Sequence, residues 1–137
     1  MDKTKIFRFI SKQKTAFIAS VNEQDYPVIR AMSAPRIIEG NEIYFSTNTS
    51  SDKVKQFLAN KKACIYFYKR GKIKYQGVSL TGEMQVCTDQ ATKDKVWRFG
   101  DRLFYKQGVT DPDYCVLKFK GEAAEYYCDF KIEKIKL

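Results

Sequence analysis

The chain has no histidine, three prolines and one tryptophan in 137 residues. The missing histidine excludes most. Without it no Ser-His-Asp or Cys-His nucleophile can be assembled, no imidazole can shuttle protons near neutral pH, and no His metal ligand exists. The common hydrolase chemistries are ruled out. No apolar run approaches the ~20 residues of a membrane-spanning helix. Residues 1–14 intersperse charge with apolar side chains and contain no apolar segment of the kind that directs export. The cysteines at 64, 87, 115 and 128 form no C-x-x-C pair and no cluster suited to a metal. Each lies among strand-forming residues (ACIYFY, MQVC, YCVLKF, YYCDF), so they read as reduced, buried, small apolar side chains. A soluble, cytoplasmic protein with no membrane partner is expected.

What is present describes a folded domain. The chain is 44% hydrophobic and 15% aromatic, above the range of disordered sequences. Its length suits one domain spanning 1–137, and a chain of this size buries roughly two-thirds of its unfolded surface without needing staples. The formal charge of +9 invites a nucleic-acid partner, but 19 of the 25 basic residues are Lys and only 6 are Arg. Bidentate recognition of phosphates and guanines favours Arg, so the excess reads as a solvated surface that attracts small anions, with no nucleic-acid partner expected.

Periodicity places a short amphipathic helix over 2–12, strands over 15–21, 26–38 and 42–46, and a helix over 53–59. Strands follow over 62–68 and 73–87, then a helix from Asp89 to about 99, then strands over 114–119 and 122–130. The first three strands read as a meander and the last two as a hairpin around Lys120-Gly121. Gly77 and Gly82 mark bulges or close approaches within the long strand. The order does not alternate strand and helix, and no G-x-G-x-x-G or P-loop is present. The fold class is therefore mainly β: an antiparallel barrel of six to seven strands with short helices.

One stretch carries chemistry. Thr47-Asn-Thr-Ser-Ser-Asp52 is six polar residues leading into a helix that Ser50 or Ser51 can cap. A helix start presents unpaired N–H groups and partial positive charge; Thr47, Ser50 and Ser51 add hydroxyls, and Lys53 adds a cation where cations are normally disfavoured. By composition the pattern reads first as a polar loop before an ordinary capped helix, and a phosphate site is the second reading. Arg30 lies in a strand with apolar neighbours, where it either pairs with a carboxylate or clamps an anion. Trp97, Phe99, Phe104 and Tyr105 form an aromatic cluster suited either to core packing or to a pocket wall.

Residues 15–97 resemble the pyridoxamine 5′-phosphate oxidase-like flavoproteins, the FMN-binding split β-barrels. The resemblance rests on TAFIASVNEQDYPVIRAM (15–32) with its Pro-x-x-Arg, EIYFSTNTSSDKVKQFLANKKACIYFY (42–68) with its Thr-Asn and Ser-x-Lys, and GVSLTGEMQVC (77–87) with an internal glycine. It implies that Arg30 and Lys53 hold the FMN phosphate with Thr47 and Ser51. Ala31, Met32 and Ser46 would run beside the isoalloxazine ring, and Gln76 would approach the flavin. It further implies a homodimer with FMN at the subunit interface and an oxidoreductase passing electrons from NAD(P)H or another donor to a small-molecule substrate. The ring itself carries the electrons, so no catalytic side chain is assigned.

The departures narrow the reading. Asp52 stands where the pyridoxamine oxidases proper have a basic residue, and Gly77 stands where they place glutamine. Gln76 is one residue off and faces the other way unless Gly77 is bulged. The C-terminal Arg-x-His segment that grips pyridoxal phosphate is missing, as is the histidine often used by the nitroimidazole-reductase branch. The general-stress-protein-like branch fits best. The alternatives are a binding protein for flavin, haem or deazaflavin without turnover, haem lacking a His ligand, and a cofactor-free polyanion-binding barrel.

Overall fold

Period-two alternation dominates the sequence, and a computed structural model describing residues 1–137 accordingly holds eight strands and three short helices. The elements are α1 (Lys3–Ser11), β1 (Thr15–Val21), β2 (Pro27–Ser33), β3 (Ile37–Glu39), β4 (Glu42–Asn48), α2 (Asp52–Ala59), β5 (Lys62–Arg70), β6 (Tyr75–Cys87), α3 (Gln90–Val96), β7 (Tyr114–Cys128) and β8 (Lys131–Lys136). Short 3-10 turns at Phe99–Leu103 and Gly108–Thr110 lie between α3 and β7. All pairings are antiparallel, in the order β2-β1-β5-β6-β7-β4-β3, and β8 adds to β7. The result is an antiparallel, mainly β split barrel, as the fold class read from the sequence expects.

The split has a residue-level cause. β7 pairs with β6 over Val116–Cys128, but with β4 only over Tyr114–Lys120 and with β8 only over Ala123–Cys128. The register shifts at Thr81/Gly82, and Glu122 of β7 is left without a β6 partner. Gly82 is required there, because a Cβ would lie 2.1 Å from the Lys120 carbonyl oxygen. The bend lets one strand serve two sheet halves.

Three expectations are corrected. The expected strand over 26–38 is cut after Ser33: β2 pairs only with β1, and β3 pairs only with β4, so no three-stranded meander forms. Pro35 cannot donate to a ladder, and the next amide, Arg36, turns to the Tyr44 carbonyl (2.8 Å) instead. The expected C-terminal hairpin is a single strand, β7, with the true turn at Asp129-Phe130. Both of those residues have positive φ (50° and 66°), which suits a tight two-residue hairpin. That turn carries the eighth strand. The third helix ends at Val96, and its expected last turn becomes the separate 3-10 segment.

The barrel interior is filled from every element around it. Ile6 and Ile10 of α1, Ile18, Phe45, Val54 and Phe57 of α2, Ile65, Phe67, Leu80, Leu117 and Phe119 are all at most 3% exposed. Burying each such side chain contributes roughly 1.5–3 kcal/mol before entropy is counted. A second, smaller core of Tyr44, Cys87, Val96, Tyr114 and Val116 seats α3, with Trp97, Tyr105 and Val109 packed on it. The expectation that the cysteines are small buried hydrophobes holds fully for Cys87 and Cys115, while Cys64 and Cys128 are half-buried; none is bonded to another.

Candidate functional site

Cutting the second strand creates the site. Beyond Tyr44, β4 has no partner on its β3 side, and β2 has none on the side away from β1. The two free edges border a cleft of about 380 Å³ lined by Ala31, Met32 and Ser33 of β2 and by Phe45, Ser46, Thr47 and Asn48 of β4. Free strand edges carry unpaired N–H and C=O groups, which suits a flat polar-edged ring lying between them.

At the Thr47 end the chain enters α2. The loop before it is fixed from β7's side: the Thr49 amide donates to the Asp113 carbonyl (2.6 Å), the Ser50 amide to Asp113 Oδ1 (2.9 Å), and Thr49 Oγ1 to the Pro112 carbonyl (3.1 Å). Ser51 is the N-cap by backbone conformation. Its hydroxyl does not cap the helix and donates instead to the Asn48 carbonyl (2.8 Å). It therefore keeps its oxygen fixed at the helix start.

Arg30 and Lys53 meet at this end. The meander would have paired the strand of Arg30 with the one leading into α2, but β2 and β4 do not pair; Arg30 reaches α2 across β1, which α2 contacts. Arg30 donates from Nη1 to the Ile18 carbonyl (3.2 Å) and Ser20 Oγ (2.8 Å), and from Nη2 to Gln56 Oε1 of α2 (3.1 Å). Ser20 also donates to the same Gln56 oxygen. Neither Arg30 nor Lys53 forms an ion pair with a carboxylate. Burial lowers the pKa of Lys53, and the charge of Arg30 lowers it further. Burial likewise lowers that of Arg30, partly offset by Asp52. Two half-buried like charges side by side are unfavourable alone, and an anion between them relieves both costs.

Of the residues singled out in the sequence, Ala31, Met32, Ser46 and Thr47 line one cleft. Arg30, Ser51 and Lys53 are not among its lining residues: Arg30 adjoins Ala31 in β2, Ser51 and Lys53 start α2, and the charge of Arg30 reaches Lys53. Gln76 stands apart. Gly77 is not bulged, because the β5–β6 register runs unbroken from Lys62 to Arg70. Gln76 therefore shares the interior face with Val78 and Leu80, where its amide donates to the Tyr126 hydroxyl (2.7 Å).

The aromatic cluster divides between its two expected roles. Trp97 and Tyr105 pack on Tyr114, with ring centroids 5.0 and 5.2 Å away, as part of the second core. Tyr105 also lines the cleft together with Phe104, which is 79% exposed. Burial pushes the Tyr105 phenol up to about 12, so it stays protonated near neutral pH.

Sequence reasoning missed Arg36 and Asp101. Arg36 donates to Asp101 through both terminal nitrogens (2.8 and 2.7 Å), and Asp101 Oδ2 also accepts from the Arg98 amide (2.8 Å). Both line the cleft. Sixty-five positions separate them, and neither sits in a local motif that announces the other.

Similarity to known proteins follows the same geometry. The sequence model of the family described as "Pyridoxamine 5'-phosphate oxidase like" matches residues 2–135. A crystal structure of a protein from Clostridium acetobutylicum, related to general stress protein 26 of B. subtilis and described as of the pyridoxinephosphate oxidase family, is 30% identical. It covers 100% of this chain and 97% of its own, with a TM-score of 0.84. General Stress Protein 26 from Bacillus anthracis is 21% identical, with 98% of each chain covered and a TM-score of 0.78. A heme binding protein from Mycobacterium smegmatis shares the fold at 8% identity and a TM-score of 0.74, over 93% of this chain and 56% of its own. No curated protein matches the sequence.

Proposed function

The chain belongs to the pyridoxamine 5′-phosphate oxidase-like family, and from that premise we propose that it binds FMN in the β2–β4 cleft and acts as an oxidoreductase on a small molecule. Members of this family hold flavin or another planar cofactor such as haem, and they commonly dimerise. The observation that carries the flavin reading is the pair Arg30 and Lys53. Two half-buried cations that form no ion pair lie near each other, Lys53 in the first turn of α2 and Arg30 next to Ala31, which lines the cleft with its free strand edges. FMN matches that arrangement at both ends, a phosphate for the cations and a flat ring with a polar edge for the strands. Haem fits less well, because the chain offers no histidine as an axial ligand.

In this reading Arg30, Lys53, Thr47 and Ser51 hold the phosphate through charge-assisted bonds, which are roughly twice as strong as neutral ones. Ala31, Met32 and Ser46 border the ring, and Phe104 and Tyr105 form the wall that excludes water. FMN supplies two-electron transfer when bound, so the side chains have only to bind, orient and shield it. A homodimer completes the site. The outer sheet face presents Phe17, Tyr66, Tyr68, Tyr75 and Tyr127 in a linked aromatic row, with the exposed Ile29 and Ile132 beside it, and this row is suited to burial against a second copy.

The test is the visible spectrum of the protein purified without added cofactor, followed by titration of the stripped protein with FMN. The expected result is a two-banded flavin spectrum, FMN in the filtrate after denaturation, and uptake of one FMN per chain. A colourless protein that ignores added FMN would sink the reading.

A further inference from the structure

The cleft wall is not part of the sheet. Phe104 and Tyr105 follow a 3-10 turn of five residues (Phe99–Leu103), too short to hold a position by its own hydrogen bonds. Its surface is also unusually apolar: Phe99, Leu103 and Phe104 are 83%, 88% and 79% exposed. Burial therefore anchors only part of the segment, through Trp97 and Tyr105. What ties the rest to the barrel is polar, and it converges on one corner.

That corner is Arg36, the last residue of the break between β2 and β3. Its guanidinium grips both oxygens of Asp101 and donates to the Val96 carbonyl (3.3 Å), while the Arg36 carbonyl accepts from Arg98 Nη2 (3.3 Å). Asp101 in turn accepts from the Arg98 amide at the start of the 3-10 turn, and its carbonyl accepts from the amides of Phe104 (3.0 Å) and Tyr105 (3.1 Å). One buried carboxylate thus faces the barrel with its side chain, and its own backbone carries the two residues that form the wall. Asp101 is 5% exposed, so the fork is shielded from water and keeps its directional strength.

We propose that Arg36–Asp101 is a positioning latch for the cleft: the pair fixes where Phe104 and Tyr105 stand, and so sets how long the cleft retains its ligand. The pair also lines the cleft itself, beside the wall it holds. Arg36 and Lys are not equivalent here, because an ammonium supplies the charge without the two-point fork that sets the angle of the turn. The latch as a retention device rests on the flavin reading, but its geometry can be read without FMN, since the only tryptophan, Trp97, lies inside the latched segment.

The experiment compares wild type with Asp101→Asn, Arg36→Lys and the charge-swapped double variant Arg36→Asp/Asp101→Arg. Lys118→Met is the control, because it removes a different ion pair, with Glu42 (2.7 Å), away from the cleft. Trp97 emission and acrylamide quenching are read on cofactor-free protein, and FMN dissociation is read by recovery of flavin fluorescence. In Asp101→Asn, Trp97 emission is expected to shift red and FMN to leave about tenfold faster, the weight of one well-oriented charged contact. Arg36→Lys falls between, the swap recovers part of the loss, and Lys118→Met changes neither signal. Unmoved Trp97 emission in Asp101→Asn overturns the latch. So does a moved Trp97 with FMN dissociation within twofold of wild type, which would leave the pair a merely structural tie. Should Asp101→Asn fail to fold, Arg36→Lys decides by the same two signals. If wild type takes up no FMN, the flavin reading is what fails, and Trp97 alone decides the latch.

Discussion

The Tyr66 hydroxyl occupies the space that a side chain at Gly77 would need. A Cβ built on Gly77 would lie 2.2 Å from that oxygen, which is held in place by a 2.9 Å hydrogen bond to the Tyr75 hydroxyl. By the resemblance, Gly77 stands where the pyridoxamine oxidases proper would carry glutamine, and here the Tyr66 hydroxyl fills that space. Burial, reinforced by the Tyr75 bond, pushes the Tyr66 phenol up to about 12. Gly77→Ala should destabilise the protein by about 1–3 kcal/mol, the usual cost of overpacking. Tyr66→Ala in the same chain should recover most of that loss. Equilibrium urea unfolding of the two single variants and the double variant measures the coupling.

Gly82 is a harder case, because the obstructing atom is backbone. A methyl there meets the Lys120 carbonyl oxygen at 2.1 Å and the Gly121 Cα at 3.0 Å. No rotamer change relieves it, so Gly82→Ala must move β6 away from β7 at the fork. A loss of about 3 kcal/mol or more is expected, with the midpoint of thermal unfolding as the readout.

The two cations proposed to hold the phosphate should separate in their effects. Lys53 makes no hydrogen bond through its ammonium, so Lys53→Ala should weaken FMN binding by roughly 10–100-fold while leaving stability within about 0.5 kcal/mol. Arg30 bridges β1 and α2 through Ile18, Ser20 and Gln56. Arg30→Ala should therefore weaken FMN binding and also lower stability by about 1–3 kcal/mol, since it leaves part-buried acceptors unpaired. Isothermal titration paired with thermal unfolding distinguishes the two.

The hydrogen bonds from Arg36 hold Asp101 below the usual carboxylate pKa, against the opposing effect of burial. A carboxylate depressed in the folded state stabilises the protein above its unfolded pKa of about 3.9, and that contribution is lost as pH falls through the folded value. Wild type should thus lose stability more steeply than Asp101→Asn below about pH 4. Parallel stability curves for the two proteins between pH 6 and 3 would contradict this assignment.

If the aromatic face is buried in a dimer, a charge placed on it must be desolvated or must break the contact. Tyr68, 43% exposed in the single chain, stacks on Tyr66 and packs at a tilt against Phe17 and Tyr75 at the middle of the row. Tyr68→Glu should shift sedimentation from dimer toward monomer at micromolar concentration and weaken FMN retention with it.

The sequence by itself determined the barrel class and marked most of the residues proposed to hold the phosphate. Alternation of apolar residues marks strands wherever one face is buried, and Ser51, Lys53 and Thr47 lie in one contiguous run whose meaning is local. Arg30 was legible from its Pro-x-x-Arg setting. Alternation does not name a strand's partner, however, so the meander and the terminal hairpin were misread. Asp129-Phe130 carries no glycine to announce its turn, and β8 went unseen with it. Only tertiary structure decided that β2 and β4 leave facing edges, that Gln76 turns inward to Tyr126, and that Arg36 finds Asp101. A hydrogen bond between side chains 65 positions apart leaves no period and no spacing in the chain, because its geometry exists only once the sheet has closed.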